Sequence, residues 1–151
     1  MKGFFLLASL GLAVFAEKVV TMIGEKDLPA AVAAALAKDK PEGATFRGFE
    51  REVIDGKTFF EVQMMVAGKG KEILYRPDGR IVETEEETTL EAIPGPAREA
   101  IRKAMGGGSL RKVDIIRAGK RVVYEGELLV EGKKSQVRFD GKGRAVKPDL
   151  D

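Results

Sequence analysis

Apolar positions along this chain follow two rhythms, helical then extended, and the succession occurs twice. Leu28, Val32 and Leu36 fall at i, i+4 and i+8, the spacing of one helix face. Alanines at 30, 31, 33, 34, 35 and 37 add helix propensity and a slim profile. Asp27 is placed to cap this helix and Pro29 to sit in its first turn, while Pro41 and Gly43 stop it. The period then changes to two. Strands are predicted over 45–54, 58–66, 72–76 and 80–83, separated by Asp55-Gly56, Gly68-Lys69-Gly70 and Pro77-Asp78-Gly79. In the clearest strand Phe60, Val62, Met64 and Val66 share one face, and Phe59, Glu61, Gln63 and Met65 the other.

The second occurrence starts at Ile93-Pro94, where Ile93, Ala97 and Ile101 repeat the helical face at an offset of 65 residues. Gly106-Gly107-Gly108 ends that helix. Strands follow over 110–117, 120–131, 134–140 and 143–147. With Phe60 set on Tyr124 the offset is 64, and Met64, Val66, Gly68, Ile73, Gly79 and Val82 meet Leu128, Val130, Gly132, Val137, Gly143 and Val146. Around Ala118-Gly119-Lys120 the best match to Asp55-Gly56-Lys57 slips to 63, as a loop or bulge would allow. Strands joined by short glycine turns pair antiparallel. A helix followed by such a meander makes an α+β layer with the helix over one sheet face. The expected organisation is therefore two tandem helix-plus-four-stranded meander repeats, over 17–83 and 93–147. An acidic linker over 84–92 joins them, and 148–151 form a tail.

The segment 1–16 breaks both rhythms. Lys2 precedes an apolar run from Phe4 to Phe15, and Val14 and Ala16 offer the small residues of a cleavage site. This is the pattern of a secretory signal peptide cut after Ala16. The run is short for the roughly 20 residues needed to span a bilayer. No cysteine follows for a lipid anchor, so no membrane anchor is expected after cleavage.

Composition then removes whole classes of chemistry. The chain has no Cys and no His. Disulfides, thiolate metal sites, cysteine nucleophiles and histidine-based triads are excluded. Net charge is only +2, which argues against nucleic acid as a partner. The charge is unevenly spread. Residues 17–92 hold 11 Lys/Arg and 16 Asp/Glu, a net of −5, whereas residues 93–151 hold 14 and 8, a net of +6.

Few residues offer catalysis. Glu61 and Glu125 occupy equivalent positions, but alternating glutamates on an antiparallel strand normally form its wet face, and no sugar platform accompanies them. Ser109 and Ser135 lack a base, and the glycine run at 106–108 lacks the fixed positions of a phosphate loop. Glu83 and Glu85-Glu86-Glu87 suggest at most a cation-sensing run. No catalytic, cofactor or metal residue is assigned. What remains is the sheet face away from the helix. It carries Phe59, Glu61, Gln63, Met65 and Leu74 in one half and Val123, Glu125, Glu127, Leu129 and Arg138 in the other. Mixed apolar and charged groups on an uncovered sheet suit recognition of a protein or peptide.

The marks Val53, Asp55-Gly56-Lys57, Phe60-Glu61-Val62, Lys71, Ile73, Asp78-Gly79 and Val82 resemble the PepSY-like domains of secreted bacterial proteins. A tandem pair after a signal peptide is similar to periplasmic proteins of the beta-lactamase-inhibitor-protein (BLIP-like) fold. The resemblance covers residues 27–147. The second copy departs from it with Ala118 at the turn aspartate and Gly126 at the strand valine. It implies one curved sheet with the helices on one face. It also implies a binding or inhibitory role, partly toward peptidases, without catalytic residues. The resulting expectation is a periplasmic or extracellular, non-enzymatic binding module. An envelope small-ligand or cation sensor and a structural or assembly protein are the alternatives.

The protein is expected to be a monomer or, where the opposite charges of the two halves attract between chains, to self-associate weakly and in a salt-sensitive way. Sedimentation profiles at low and high salt test this, and identical profiles would contradict the self-association.

Overall fold

The computed structural model describes residues 18–148 and Leu150. The segment expected to be a signal peptide, with its cleavage site, lies outside the described residues. The chain divides into two compact units, one reaching Thr84 and the other starting at Glu85. The protein is α+β, with strands that pair antiparallel.

The first unit opens with a strand that periodicity did not reveal, β1 (Lys18–Ile23), paired along its whole length with β2 (Thr45–Ile54). Its sequence KVVTMI lacks clean alternation. Between them a 3-10 turn (Glu25–Asp27) leads into helix α1 (Ala30–Asp39). Asp27 does not cap that helix. Its Oδ2 accepts a hydrogen bond from the Gly24 N–H at 2.9 Å and closes the 3-10 turn instead. Pro29, expected inside the first helical turn, is the N-cap residue.

Then β2, β3 (Lys57–Val66) and β4 (Lys69–Tyr75) form a meander. Its turns are Asp55-Gly56 and Ala67-Gly68, and all four residues have positive φ. That is the requirement of the two-residue turn whose twist matches the flanking strands. β5 (Ile81–Thr88) carries the chain from the first unit into the second. It runs five residues beyond the predicted end at Glu83.

The second unit holds helix α2 (Gly95–Met105) and strands β6 (Ser109–Ala118), β7 (Arg121–Val130) and β8 (Lys133–Phe139). Gly106, at φ 54°, ends the helix. β2 and β6 match at an offset of 64, down to a bulge at Phe46/Gly48 and another at Leu110/Lys112. The apparent slip to 63 does not occur: Gly119, at φ 58°, stands where Asp55 stands in the first turn. The predicted strand over 143–147 reduces to one bridge, Phe139 to Ala145. The Asp140 carboxylate accepts from the N–H groups of Lys142 and Arg144, which tightens the turn, and Pro148 has no N–H to continue a ladder.

Each helix lies on the face the periodicity assigned to it. Leu28, Val32 and Leu36 pack with Phe60, Val62, Met64, Ile73 and Tyr75. Ile93, Ala97 and Ile101 pack with Val113 and Leu128. Full burial of one such side chain stabilises by about 1.5–3 kcal/mol. Tyr75 also donates from its hydroxyl to Asp39 at 3.1 Å, tying β4 to the end of α1.

Two turn glycines fix how close the helices come. Gly79 has φ 85°, and a β-carbon there would lie 2.5 Å from the Ala31 carbonyl oxygen of α1. Gly143 has φ 77°, and its β-carbon would lie 2.6 Å from the Pro96 carbonyl oxygen of α2. Gly56 shares the positive φ but has open space around it. Gly56→Ala should therefore cost about 1–2 kcal/mol, the left-handed penalty alone. Gly79→Ala should cost roughly 3 kcal/mol or more, because a backbone clash adds to it. Urea midpoints of the two variants check this order.

Candidate functional site

The alternation that sends Phe60, Val62 and Met64 toward α1 sends Glu61 and its neighbours to the helix-free face. Register sets what surrounds them. On β2, Glu50 stands opposite Glu61, and on β4 Leu74 does. On β1, Met22 pairs with Glu50, and Val20 with Glu52. The second unit repeats the arrangement on its own strands: Asp114 of β6 stands opposite Glu125, and Arg138 of β8 stands on its other side.

This face is not open where the sequence reading placed its anchors. Phe59 is 1% exposed, and Leu74, Val123, Glu61 and Glu125 are also buried. Gln63, Met65, Glu127, Leu129 and Arg138 are partly buried. Phe59 and Leu74 belong to the interior, with Ile54 and Ile116 as further buried apolars on the same faces. Strands covered on both sides show no exposed partner to alternate with, so periodicity alone could not separate this face from a wet one.

The buried glutamates are organised by ion pairs and amides. In the second unit the Arg138 guanidinium reaches Glu125 with Nε at 2.5 Å and Glu85 with Nη2 at 3.2 Å. Lys112 lies 3.2 Å from Asp114. In the first unit Lys18 lies 2.6 Å from Glu52, which is 1% exposed. Gln63 donates from Nε2 to Glu61 at 2.9 Å and to Glu50 at 3.3 Å. Burial is the main force pushing Glu61 up to about 8, helped by the charges of Glu52 and Glu72 and opposed by Lys18 and Gln63. Burial raises Glu50 too, with Glu52 next in weight.

Sequence reasoning missed Lys18, Glu50, Glu52, Lys112 and Asp114. Only cross-strand register gathers them, and single-chain periodicity does not contain it. Among the described residues two carboxylate groups have oxygens within 4.8 Å of one another: Glu50, Glu52 and Glu61, and Glu85, Asp114 and Glu125. Each contains positive charge or amide donors supplied by the protein, which is how buried carboxylates are ordinarily held. They are therefore read as structural groups. The acidic run at Glu83–Glu87 does not form a site of its own. Glu83 is buried, Glu85 binds Arg138, and Glu86 meets Arg117 at 3.4 Å.

No family model and no curated protein matches the sequence. Solved structures do. A candidate periplasmic protein from Bacteroides eggerthii is 20% identical over 78% of this chain and 85% of its own, with a TM-score of 0.57. A DUF2874 family protein from Bacteroides uniformis is 19% identical over 78% and 86%, with a TM-score of 0.58. A BLIP-like protein from Bacteroides fragilis is 17% identical over 77% and 81%, with a TM-score of 0.53. The chain thus has a BLIP-like fold. No helix among the described residues is long and apolar enough to cross a membrane.

Removing one member of a buried pair costs more than the pair contributes, because the other charge is left without compensation. Arg138→Ala should destabilise the protein by about 3–5 kcal/mol, and adding Glu125→Gln should recover part of that loss. Urea unfolding of both variants measures it.

Proposed function

We propose that this protein is a secreted, non-enzymatic binding module that docks a protein or peptide partner and inhibits or regulates it. A signal peptide over 1–16 delivers it to the periplasm or beyond. The two units act as PepSY-like repeats of one helix-plus-meander plan, joined through the acidic stretch 84–92. The fold shared with a BLIP-like protein and a candidate periplasmic protein supports this reading.

The observation that carries the docking surface is Met22. It is 65% exposed, on the helix-free side of the first unit. A β-carbon on Gly48 would lie 3.6 Å from the Met22 methyl carbon and 3.2 Å from the Gln63 amide oxygen, so this end of the face is shallow and lacks a covering side chain at 48. Met65 and Glu72 stand next along β3 and β4. An adaptable thioether beside polar and acidic neighbours is the composition of an interface core with its rim. The surface is therefore narrower than the whole face. Buried Phe59 and Leu74 lie outside it, and Gln63 and Met65 contact the partner. Carboxylates at the rim favour a partner with basic groups.

Neither alternative gains from the geometry. A cation sensor at Glu83–Glu87 would have to displace Arg138 and Arg117 from Glu85 and Glu86.

Met22→Asp combined with Met65→Asp should abolish capture of a partner from an envelope extract and leave the melting temperature within about 2 °C of the parent. Lys103→Glu, on the exposed side of α2, should leave capture intact. Capture unchanged by the double variant would overturn the assignment.

A further inference from the structure

The two units hold the same pair of carboxylates in two different ways. Glu50 and Glu61 stand opposite each other in the first unit, Asp114 and Glu125 in the second, at a common offset of 64 residues. The third position of the row is Leu74 in the first unit and Arg138 in the second. Arg138 gives Glu125 a guanidinium at 2.5 Å. Leu74, buried and apolar, gives Glu61 nothing of the kind.

We propose that the first unit replaces the arginine with a proton: the Glu50, Glu52 and Glu61 group retains one proton at neutral pH, carried on Glu61. This is independent of the docking reading above. The groups facing Glu61 can be named from every neighbouring strand. β1 contributes Lys18, whose ammonium lies 2.6 Å from Glu52. β2 contributes Glu50 and Glu52, with oxygens within 4.8 Å of a Glu61 oxygen. β3 contributes the Gln63 amide at 2.9 Å, and β4 contributes Glu72. Within the group, the Lys18 ammonium thus faces three carboxylates, Glu50, Glu52 and Glu61, the last two of them buried. Keeping all of them ionised would combine desolvation with like-charge repulsion, and protonating one lowers both costs. Glu61 is the member with burial, two repelling carboxylates and no cation of its own, in keeping with its rise to about 8.

The consequence for stability has a definite sign. Glu61 binds its proton more tightly in the folded chain than in the unfolded one, where a glutamate titrates near 4.5. Its contribution is fully present below about 4.5 and is lost as pH rises through about 8. In the second unit Glu125 instead faces the fixed positive charge of Arg138.

Glu61→Gln mimics the protonated side chain at every pH and isolates the effect. The variant should melt within about 1 °C of the parent at pH near 5, and several degrees above it at pH near 8.5. Glu125→Gln, which removes one of the two carboxylates Arg138 holds, should melt lower than the parent at both. The parent itself provides a second readout that needs no variant to fold. With carboxyl-labelled glutamate, one side-chain resonance should titrate with a midpoint close to 8. A difference between Glu61→Gln and the parent that does not change with pH would overturn the proposal. So would a full set of glutamate resonances titrating below about pH 6.

Discussion

Everything in this protein depends on antiparallel register, and register depends on turns two residues long. Asp55-Gly56, Ala67-Gly68 and Glu131-Gly132 all bend with positive φ, which matches the natural twist of the strands and leaves no slack for a shift. Because side chains alternate, a slip of one residue would exchange the faces. Glu61 and Glu125 would then point at the helices, and Phe60 and Tyr124 away from them. The turns therefore decide which charges are buried together, and the cores under α1 and α2 keep that decision in place.

What the chain discloses in advance follows from this. Turn glycines and helix spacing are local signals, so both helices, both meanders and the face each helix covers were legible. The 64-residue correspondence was legible because the turns that enforce it are made of few residue types. Other features depend on partners remote in sequence. β1 was hidden because KVVTMI alternates poorly, and its place is set by β2, more than twenty residues away. Asp27 carries the right side chain for a helix cap, but Gly24 claims it first. The helix-free face read as wet because it contains glutamates, yet Glu52, Asp114 and Glu125 are among the most deeply buried side chains described. Burial of charge is legible only when the compensating group is known, and Lys18, Lys112 and Arg138 come from other strands.

The two units also illustrate different solutions to one electrostatic problem. Positions 64 residues apart keep their place in the register while their chemistry differs, as Leu74 and Arg138 do. The arginine solution supplies a fixed positive charge. The proton solution ties the first unit to the surrounding pH, and that is the unit bearing Met22, the most exposed of the large apolar residues described. The proposed docking surface and protonation site thus share strands β1 to β4, and Met22 is the cross-strand neighbour of Glu50.

Gly79 and Gly143 add something that core packing does not. At these two points main chain meets main chain, with no side chain between. The height of each helix above its sheet is set there by atomic radii, as by a spacer of constant thickness. The residues beneath the helix are then free to vary in bulk. The first unit fills the gap with Val32 and Val62, and the second with Ala97 and Gly126, the latter with Ile101 pressed close above it. Two interiors of different composition can in this way support the same outline. Sequence drift in the core leaves the outer contour intact for as long as those two glycines stay.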